Sequence, residues 1–286
     1  MNAHTMQSAA VLGSGTMGNG IAQVLAQTGL SVCLYDIAQP QLLKAMQTIQ
    51  ANLDKGVEKG KVTAADRDAA LGRLRVSTDL MEAVQGVDVV IEAVPEKLQL
   101  KQEIFQQLGT HLGPQVLLAT NTSSLSISRI AAVTPHPERV VGMHFFNPVH
   151  IMKLVEVVEA DKSSNAAVEA AMALSTRMGK DPIRVKDAPG FASSRLGIAI
   201  GLEAMRMVQE GVASPADIDK AMVLGYGFPM GPLQLTDLVG LDVRLNIAEY
   251  LYKELGDRFL APEILREKVA KGELGKKSGK GFYEWK

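Results

Sequence analysis

Three groups of residues in this chain have the types and spacing that chemistry requires. The first is a glycine-rich turn, Gly13-Ser14-Gly15-Thr16-Met17-Gly18, entered from an apolar run and left by a helical pattern. In such a turn Gly13 permits the tight reversal, Gly15 lets the backbone approach a pyrophosphate, and Gly18 lets helix and strand pack closely. The pyrophosphate would sit on the helix N-terminus at Thr16 and Met17, where unpaired N–H groups and the helix dipole favour anions. A second apolar run, Ser31 to Tyr35, ends in Asp36, at roughly the ~20-residue spacing of a ribose-binding acid. A carboxylate there accepts hydrogen bonds from a ribose 2′-OH and repels a 2′-phosphate. The pattern predicts dinucleotide binding, with NAD rather than NADP as the cofactor.

The second group is His144 and Glu156. Glu156 lies inside an apolar run, Leu154-Val155-Glu156-Val157-Val158, where a carboxylate is costly to bury without a partner. Strand alternation puts it on the face of Leu154 and Val158, which leaves a solvent-exposed strand face as the other reading. His144 is a candidate partner: a carboxylate on one ring nitrogen raises the basicity of the imidazole and fixes its tautomer. The other nitrogen is then placed to take the proton of a substrate hydroxyl as hydride leaves the carbon. From spacing alone a hydrogen-bonded core histidine is an equal alternative. His4, His111, His136 and His150 lie in loops or beside proline and have a weaker case. The third group, Asn121-Thr122-Ser123-Ser124, follows an apolar run directly, where parallel sheets present residues to a ligand crevice.

These groups need a sheet to hold them. Ala9 to Leu12 and Ser31 to Tyr35 read as buried strands flanking a helix from Met17 to Thr28 that stops at Gly29. Leu42, Met46, Ile49 and Leu53 mark a long helical face. Val87 to Ala93 is a strong strand, Pro95 to Leu108 a helix begun at proline, and Val116 to Ala119 a short strand. Arg139 to Met143, Leu154 to Val158 and Ile183 to Val185 are further β-rich runs. Strands alternating with helices predict a parallel, doubly wound Rossmann-type sheet, with an antiparallel extension around His144 as an alternative. After Asp187-Ala188-Pro189-Gly190 the pattern turns helical. Ser214-Pro215-Ala216-Asp217 reads as a helix start, Leu233 to Leu255 as a long apolar face broken near Val239-Gly240, and Pro262 to Ala270 as a last helix. The expected organisation is α/β: a nucleotide-binding domain over residues 1–188 and an all-helical domain over residues 189–286.

Composition narrows the classes. At 286 residues, 47% hydrophobic and 21% charged, the chain matches an ordinary globular protein with a full core. Thirty Lys and Arg against 31 Asp and Glu leave no basic field for nucleic acid. The single cysteine, Cys33, sits within the second strand and reads as core. No cysteine–histidine cluster has zinc-ligand spacing, and no stretch approaches the ~18 apolar residues of a membrane helix. Met1 to Ser8 are polar and lack an apolar leader, so the expected location is cytoplasmic.

The runs Gly13 to Ala22, Ile91-Glu92-Ala93-Val94-Pro95-Glu96, Asn121 to Leu125, His144-Phe145-Phe146-Asn147-Pro148 and Gly279-Lys280-Gly281-Phe282-Tyr283 fall in order along the chain. Together they resemble the 3-hydroxyacyl-CoA dehydrogenase family, most closely its short, single-function bacterial members. The resemblance covers essentially the whole sequence. It implies NAD-dependent, reversible oxidation of an (S)-3-hydroxyacyl-CoA, short chain and of the 3-hydroxybutyryl type, with His144 as general acid/base oriented by Glu156. Ser123 would bond the reacting oxygen, and Glu96, Lys101, Ser123, Asn147 and Lys277 would contact NAD. Without the resemblance, Glu96 and Lys101 read as helix-surface charges and Lys277 as part of a solvated tail. Lys55 and Lys59, four apart and on one helical face, would meet the CoA phosphates; otherwise they are a solvated charged pair. The family commonly has Asn where this chain has Ser194, which replaces an amide by one shorter hydroxyl near the substrate. A homodimer through the helical domain is expected. Two other readings stand beside this one: a dehydrogenase of a non-CoA hydroxy acid or sugar acid, and a catalytically idle, crystallin-like NAD binder.

Overall fold

In the computed structural model, which describes residues 5–285 and so leaves His4 outside, eight short strands form one sheet. The chain runs β1 (Ser8–Leu12), α1 (Thr16–Gln27), β2 (Ser31–Tyr35), α2 (Gln39–Glu58), α3 (Ala64–Gly72), β3 (Leu74–Ser77) and α4 (Leu80–Ala83). It continues through β4 (Val89–Glu92), α5 (Leu98–His111), β5 (Leu117–Thr120), α6 (Ile127–Ala131), β6 (Val140–Phe145), β7 (Leu154–Glu159), α7 (Asn165–Arg177) and β8 (Asp181–Lys186). Five helices follow: α8 (Ser193–Gln209), α9 (Pro215–Tyr226), α10 (Pro232–Val239), α11 (Leu241–Leu255) and α12 (Glu263–Ala270). The chain divides into two compact units, one ending at Ala188 and the other starting at Pro189.

The strand order is β3-β2-β1-β4-β5-β6-β7-β8. The first six strands are parallel in the doubly wound 3-2-1-4-5-6 order, which reverses direction between β1 and β4 and opens a crevice at their carboxyl ends. β4, β5 and β6 are buried along their whole length, as expected of strands covered on both faces. β7 runs antiparallel to β6, and β8 parallel to β7, so the antiparallel alternative around His144 describes this edge. The core of this unit joins Val11, Ile21, Leu25, Leu34, Ile91 and Met143.

Several boundaries depart from the sequence reading. α5 starts at Leu98, with Lys97 as its N-cap, and not at Pro95, because the Pro95 carbonyl accepts the Lys97 N–H in a tight turn first. α3 and β3 escape the apolar pattern: α3 has one buried residue, Ala70, and the edge strand β3 buries only Ser77 fully. Thr63 caps α3 by accepting the Asp66 N–H. In the helical unit, Ser214 caps α9 and Gly240 separates α10 from α11, as the pattern predicts.

Two buried carboxylates organise the helical unit. Asp237 of α10 accepts hydrogen bonds from the Phe282 and Tyr283 amides, each at 2.9 Å, and from the Trp285 indole at 2.8 Å. Asp219 of α9 accepts from the Leu233 and Gln234 amides at the start of α10 and from the Tyr283 hydroxyl at 2.7 Å. Burial and Asp219 push the Tyr283 phenol up. Gly281 is obligatory here, since a Cβ on it would lie 2.2 Å from the Asp237 carboxylate. The Gly-Lys-Gly-Phe-Tyr segment is thus a latch across α9 and α10.

Candidate active site

The glycine turn has the geometry its sequence predicts. Gly13 has φ +96°, and a Cβ on it would meet the Ala93 carbonyl oxygen at 2.6 Å. A Cβ on Gly18 would stand 1.7 Å from the Gly13 carbonyl oxygen, so α1 can follow β1 this closely only with glycine there. Gly15, the N-cap of α1, has no atom within 4 Å of its Cβ position and is exposed. The backbone is left bare just where an anion would approach the helix N-terminus. Asp36 follows β2 and is fixed by the turn: Oδ2 accepts from the Ser14 amide at 2.9 Å and the Ser14 hydroxyl at 2.8 Å, and Oδ1 from the Ala38 amide at 3.1 Å. Thr16, Asn19, Lys44, Asn52, Asn147 and His150 are among the lining of a cleft of about 440 Å³ beside the turn. Gly20 lets Val149 close on α1, because a Cβ on it would be 2.9 Å from the Val149 Cβ. Burial and the Lys180 ammonium hold the His150 imidazole below its ordinary value. This open backbone, the oriented carboxylate and the adjoining cleft fit NAD.

At the next strand ends lies a network that the sequence reading only touched. Glu92, the last residue of β4, is completely buried. Its Oε1 accepts from Lys101 Nζ and from the Val94 amide, each at 2.7 Å, and its Oε2 from the Thr120 hydroxyl at 2.7 Å. Burial pushes the Glu92 carboxyl up, against the opposing pull of Lys101. Lys101 is 1% exposed, so it is not a helix-surface charge: α5 turns it inward to pair with Glu92. Glu96 is the exposed half of the arrangement, 3.4 Å from Lys101 through Oε2. Its Oε1 accepts from the Thr122 hydroxyl and, at 2.9 Å, from the Ser123 amide. Asn121 accepts the Phe145 amide at 2.9 Å, tying this loop to the end of β6. Glu92 is the site residue that sequence reasoning left out. The available signal was an acid closing an apolar strand with a lysine nine residues on.

His144 and Glu156 are directly opposite one another on β6 and β7. His144 Nδ1 is 2.7 Å from Glu156 Oε2, with the histidine side chain 8% exposed and the carboxylate fully covered. The exposed-face alternative for Glu156 is therefore excluded. Because a carboxylate only accepts, Nδ1 carries the proton and Nε2 is the acceptor of the neutral ring. Phe146 packs on the imidazole, with ring centroids 4.5 Å apart. The pair stands at the sheet edge shared with the glycine turn and the Ser123 loop, since Leu12, Glu92, Thr120 and Gly142 are successive register partners.

The remaining predicted residues are more dispersed. Lys55 lies on α2 and Lys59 caps its end, both exposed. In the helical unit, Ser194 sits in the first turn of α8, after Gly190 and Phe191, whose φ values are +74° and +48°. Lys277 is exposed and bonds Asp242 at 2.6 Å, and that pairing holds the Asp242 carboxyl below its usual value against the effect of burial. Cys33 is buried, as a core residue would be. No helix among the described residues is long and apolar enough to cross a membrane.

Residues 8–188 match the family model for the 3-hydroxyacyl-CoA dehydrogenase NAD-binding domain, and residues 190–285 match the model for the C-terminal domain of the same family. A probable 3-hydroxybutyryl-CoA dehydrogenase of Bacillus subtilis is 45% identical over 96% of this chain and 96% of its own length. The 3-hydroxyadipyl-CoA dehydrogenase of Escherichia coli is 46% identical over 98% of this chain, which spans 59% of that longer protein. Among solved structures, an (S)-3-hydroxybutyryl-CoA dehydrogenase from Ralstonia eutropha superposes with a TM-score of 0.95 at 42% identity, covering 99% of this chain and all of that one.

Proposed function

This chain belongs to the 3-hydroxyacyl-CoA dehydrogenase family, and from that premise we propose that His144 and Glu156 carry out its reaction on a short-chain (S)-3-hydroxyacyl-CoA of the 3-hydroxybutyryl type. The observation that carries this reading is the 2.7 Å contact between His144 Nδ1 and Glu156 Oε2 at the edge of the sheet that bears the glycine turn. When bound, NAD supplies the carbon that accepts the hydride. Gly13, Gly15, Thr16, Met17 and Gly18 hold its pyrophosphate and Asp36 its ribose. Glu96, Ser123, Asn147 and Lys277 complete the contacts; Lys101, expected to touch NAD itself, is 1% exposed and takes part through Glu96, 3.4 Å away.

In the oxidising direction the 3-hydroxyl proton passes to His144 Nε2 while C3 gives up hydride, so the carbon loses two electrons and becomes a ketone. Glu156 stabilises the imidazolium formed at that moment and keeps Nδ1 protonated throughout. In reverse, the imidazolium returns the proton to the 3-oxo oxygen. Ser123 donates to that oxygen, with its amide anchored on Glu96. Lys55 and Lys59 meet the CoA phosphates. Ser194, in place of the family's Asn, keeps one bond to the substrate and sets a modest change in turnover or acyl preference; unaltered kinetics in Ser194→Asn would remove that role.

The helical unit pairs two copies. Leu196, Leu224 and Tyr226 are 63%, 73% and 79% exposed, and an apolar groove lined by Ala199, Ile200, Met207, Ile218, Met222 and Pro232 lies on α8, α9 and the start of α10. Apolar side chains left exposed together are the kind of surface that a partner covers. Light scattering across a concentration series should give twice the chain mass, and particles of chain mass alone would refute the pairing. The central test is NADH consumption with acetoacetyl-CoA, longer 3-oxoacyl-CoAs and free acetoacetate. Thioesters should react and the free acid should not. No consumption with any CoA ester, or near-wild-type turnover in His144→Gln, would overturn the reading.

A further inference from the structure

Glu92 closes a ring of side chains to which the reaction above gives no part. Its Oε1 holds Lys101 Nζ at 2.7 Å, and Lys101 in turn lies 3.4 Å from Glu96 Oε2. Its Oε2 accepts from the Thr120 hydroxyl at 2.7 Å, and the Thr120 oxygen accepts the Thr122 amide at 3.3 Å. The Thr122 hydroxyl donates to Glu96 Oε1 and completes the circuit. Glu92 therefore reaches Glu96 by two routes, one through α5 and one through the end of β5.

The same contacts grip the backbone in between. The Val94 amide donates to Glu92 Oε1 at 2.7 Å and the Val94 carbonyl accepts from Lys101 Nζ at 3.3 Å, so this turn is fixed two residues before Glu96. The Asn121 amide donates to the Glu92 carbonyl at 2.7 Å, two residues before Ser123. Glu92, Lys101, Thr120 and Thr122 are buried. Glu96 is the member of the ring that reaches the surface, with 40% of its side chain exposed.

Stability alone does not call for this arrangement. Taking a carboxylate and an ammonium out of water costs much of what their attraction returns, and well-packed apolar residues in their place are often as stable or more so. Burial pushes the Glu92 carboxyl up, which is the same cost expressed in its proton equilibrium. What a fully bonded polar ring supplies is one fixed geometry. Here that geometry is delivered to Glu96 Oε1, which holds the Ser123 amide at 2.9 Å.

We infer that Glu92 is a positioning residue for the cofactor: through Lys101 and through Thr120 it fixes the Glu96 carboxylate, and with it the Ser123 loop, in the place where NAD is held. This rests on the reading of Glu96 as a cofactor contact. Glu92 itself is fully covered and touches neither cofactor nor substrate.

The test is NADH affinity by fluorescence titration of the whole enzyme, with Tm measured alongside. Glu92→Gln keeps the shape of the side chain and removes its charge. Lys101 is then left with Glu96 as its nearest carboxylate, and drawing Glu96 towards it takes Oε1 off the Ser123 amide. NADH affinity should fall by about tenfold, within the range of couplings inside one polar network. Tm should fall as well, because a buried ammonium has lost its partner. In Glu92→Gln/Lys101→Met neither charge is stranded, so Tm should return towards wild type while the affinity stays low. Thr120→Val, which cuts the other route and leaves both charges in place, should weaken NADH by about threefold. Wild-type affinity in Glu92→Gln overturns the inference. Recovery of affinity together with Tm in the double variant also overturns it, by making the pair a purely structural one. If Glu92→Gln does not fold, the double variant and Thr120→Val decide, and wild-type affinity in either overturns it. Glu96→Ala separates the two readings. Wild-type affinity there sinks Glu96 as a cofactor contact and this inference with it, whereas weakened binding in Glu96→Ala beside wild-type binding in Glu92→Gln sinks this inference alone.

Discussion

Replacing Glu156 by Gln isolates the charge behind the proposed base. The substitution keeps shape and leaves a carbonyl oxygen able to accept from His144 Nδ1, now 2.7 Å from Oε2. What disappears is the negative charge that stabilises the imidazolium in the transition state. The lower bound is the contribution of a charge-assisted hydrogen bond, about 1.5 kcal/mol. The upper bound is the Coulomb energy of unit charges ~4 Å apart at an effective dielectric constant of ~20, about 4 kcal/mol. The carboxylate is fully covered, which favours the upper half of this range. At about 1.4 kcal/mol per factor of ten, kcat should fall by about 10- to 1000-fold. The assay is NADH oxidation with saturating acetoacetyl-CoA, alongside NADH affinity measured by fluorescence titration. Affinity should hold, since the lost charge acts on the reacting proton. A fall in kcat of less than about threefold, or an equal loss in NADH affinity, would refute the reasoning.

Other perturbations probe the surrounding scaffold. Gly15→Ala adds a methyl to open space and should leave Tm nearly unchanged while weakening NADH binding, whereas Gly18→Ala, whose Cβ would overlap the Gly13 carbonyl oxygen, should fail to fold stably; equal melting curves for the two would contradict this account. Lys101→Met strands Glu92 as an unpaired buried carboxylate and should cost about 3–5 kcal/mol in chemical denaturation. Glu159, beside Arg184 and Lys186, and Glu273, beside Lys268 and Lys280, are both held down to about 2 by those cations. A depressed carboxylate stabilises the folded state above its unfolded value of about 4.5 and loses that contribution as pH falls through the folded value. Tm should therefore drop between pH 4.5 and 2, less steeply in Glu159→Gln, and parallel profiles would argue against the pairing.

The sequence exposes the parts of this protein whose physics is local. The glycine turn is legible because Gly13 and Gly18 answer to sterics within one strand–turn–helix unit, and Asp36 follows from the next strand. His144 and Glu156 are legible as candidates because a carboxylate in a run of valines needs a partner, yet only antiparallel pairing of β6 and β7 makes them opposite. Lys101 misleads because α5 is amphipathic in the ordinary way, and burial of a lysine depends on Glu92, which comes from β4. β3 is invisible for a similar reason: an edge strand with one fully buried residue has no apolar signature of its own.

The latch formed by Asp219 and Asp237 bears on how the chain is made. The acceptors lie on α9 and α10, but the donors that satisfy them include residues 282–285. During synthesis, α9 and α10 emerge before Phe282, Tyr283 and Trp285, which donate to Asp237, with Tyr283 donating also to Asp219. The nucleotide-binding unit, which ends at Ala188, has all its strands available about a hundred residues earlier. The emerging enzyme therefore passes through an interval in which the cofactor half can fold while the helical half awaits a clasp. A fusion or label placed next to that clasp would act on closure of the helical half, although it sits far along the chain from the glycine turn.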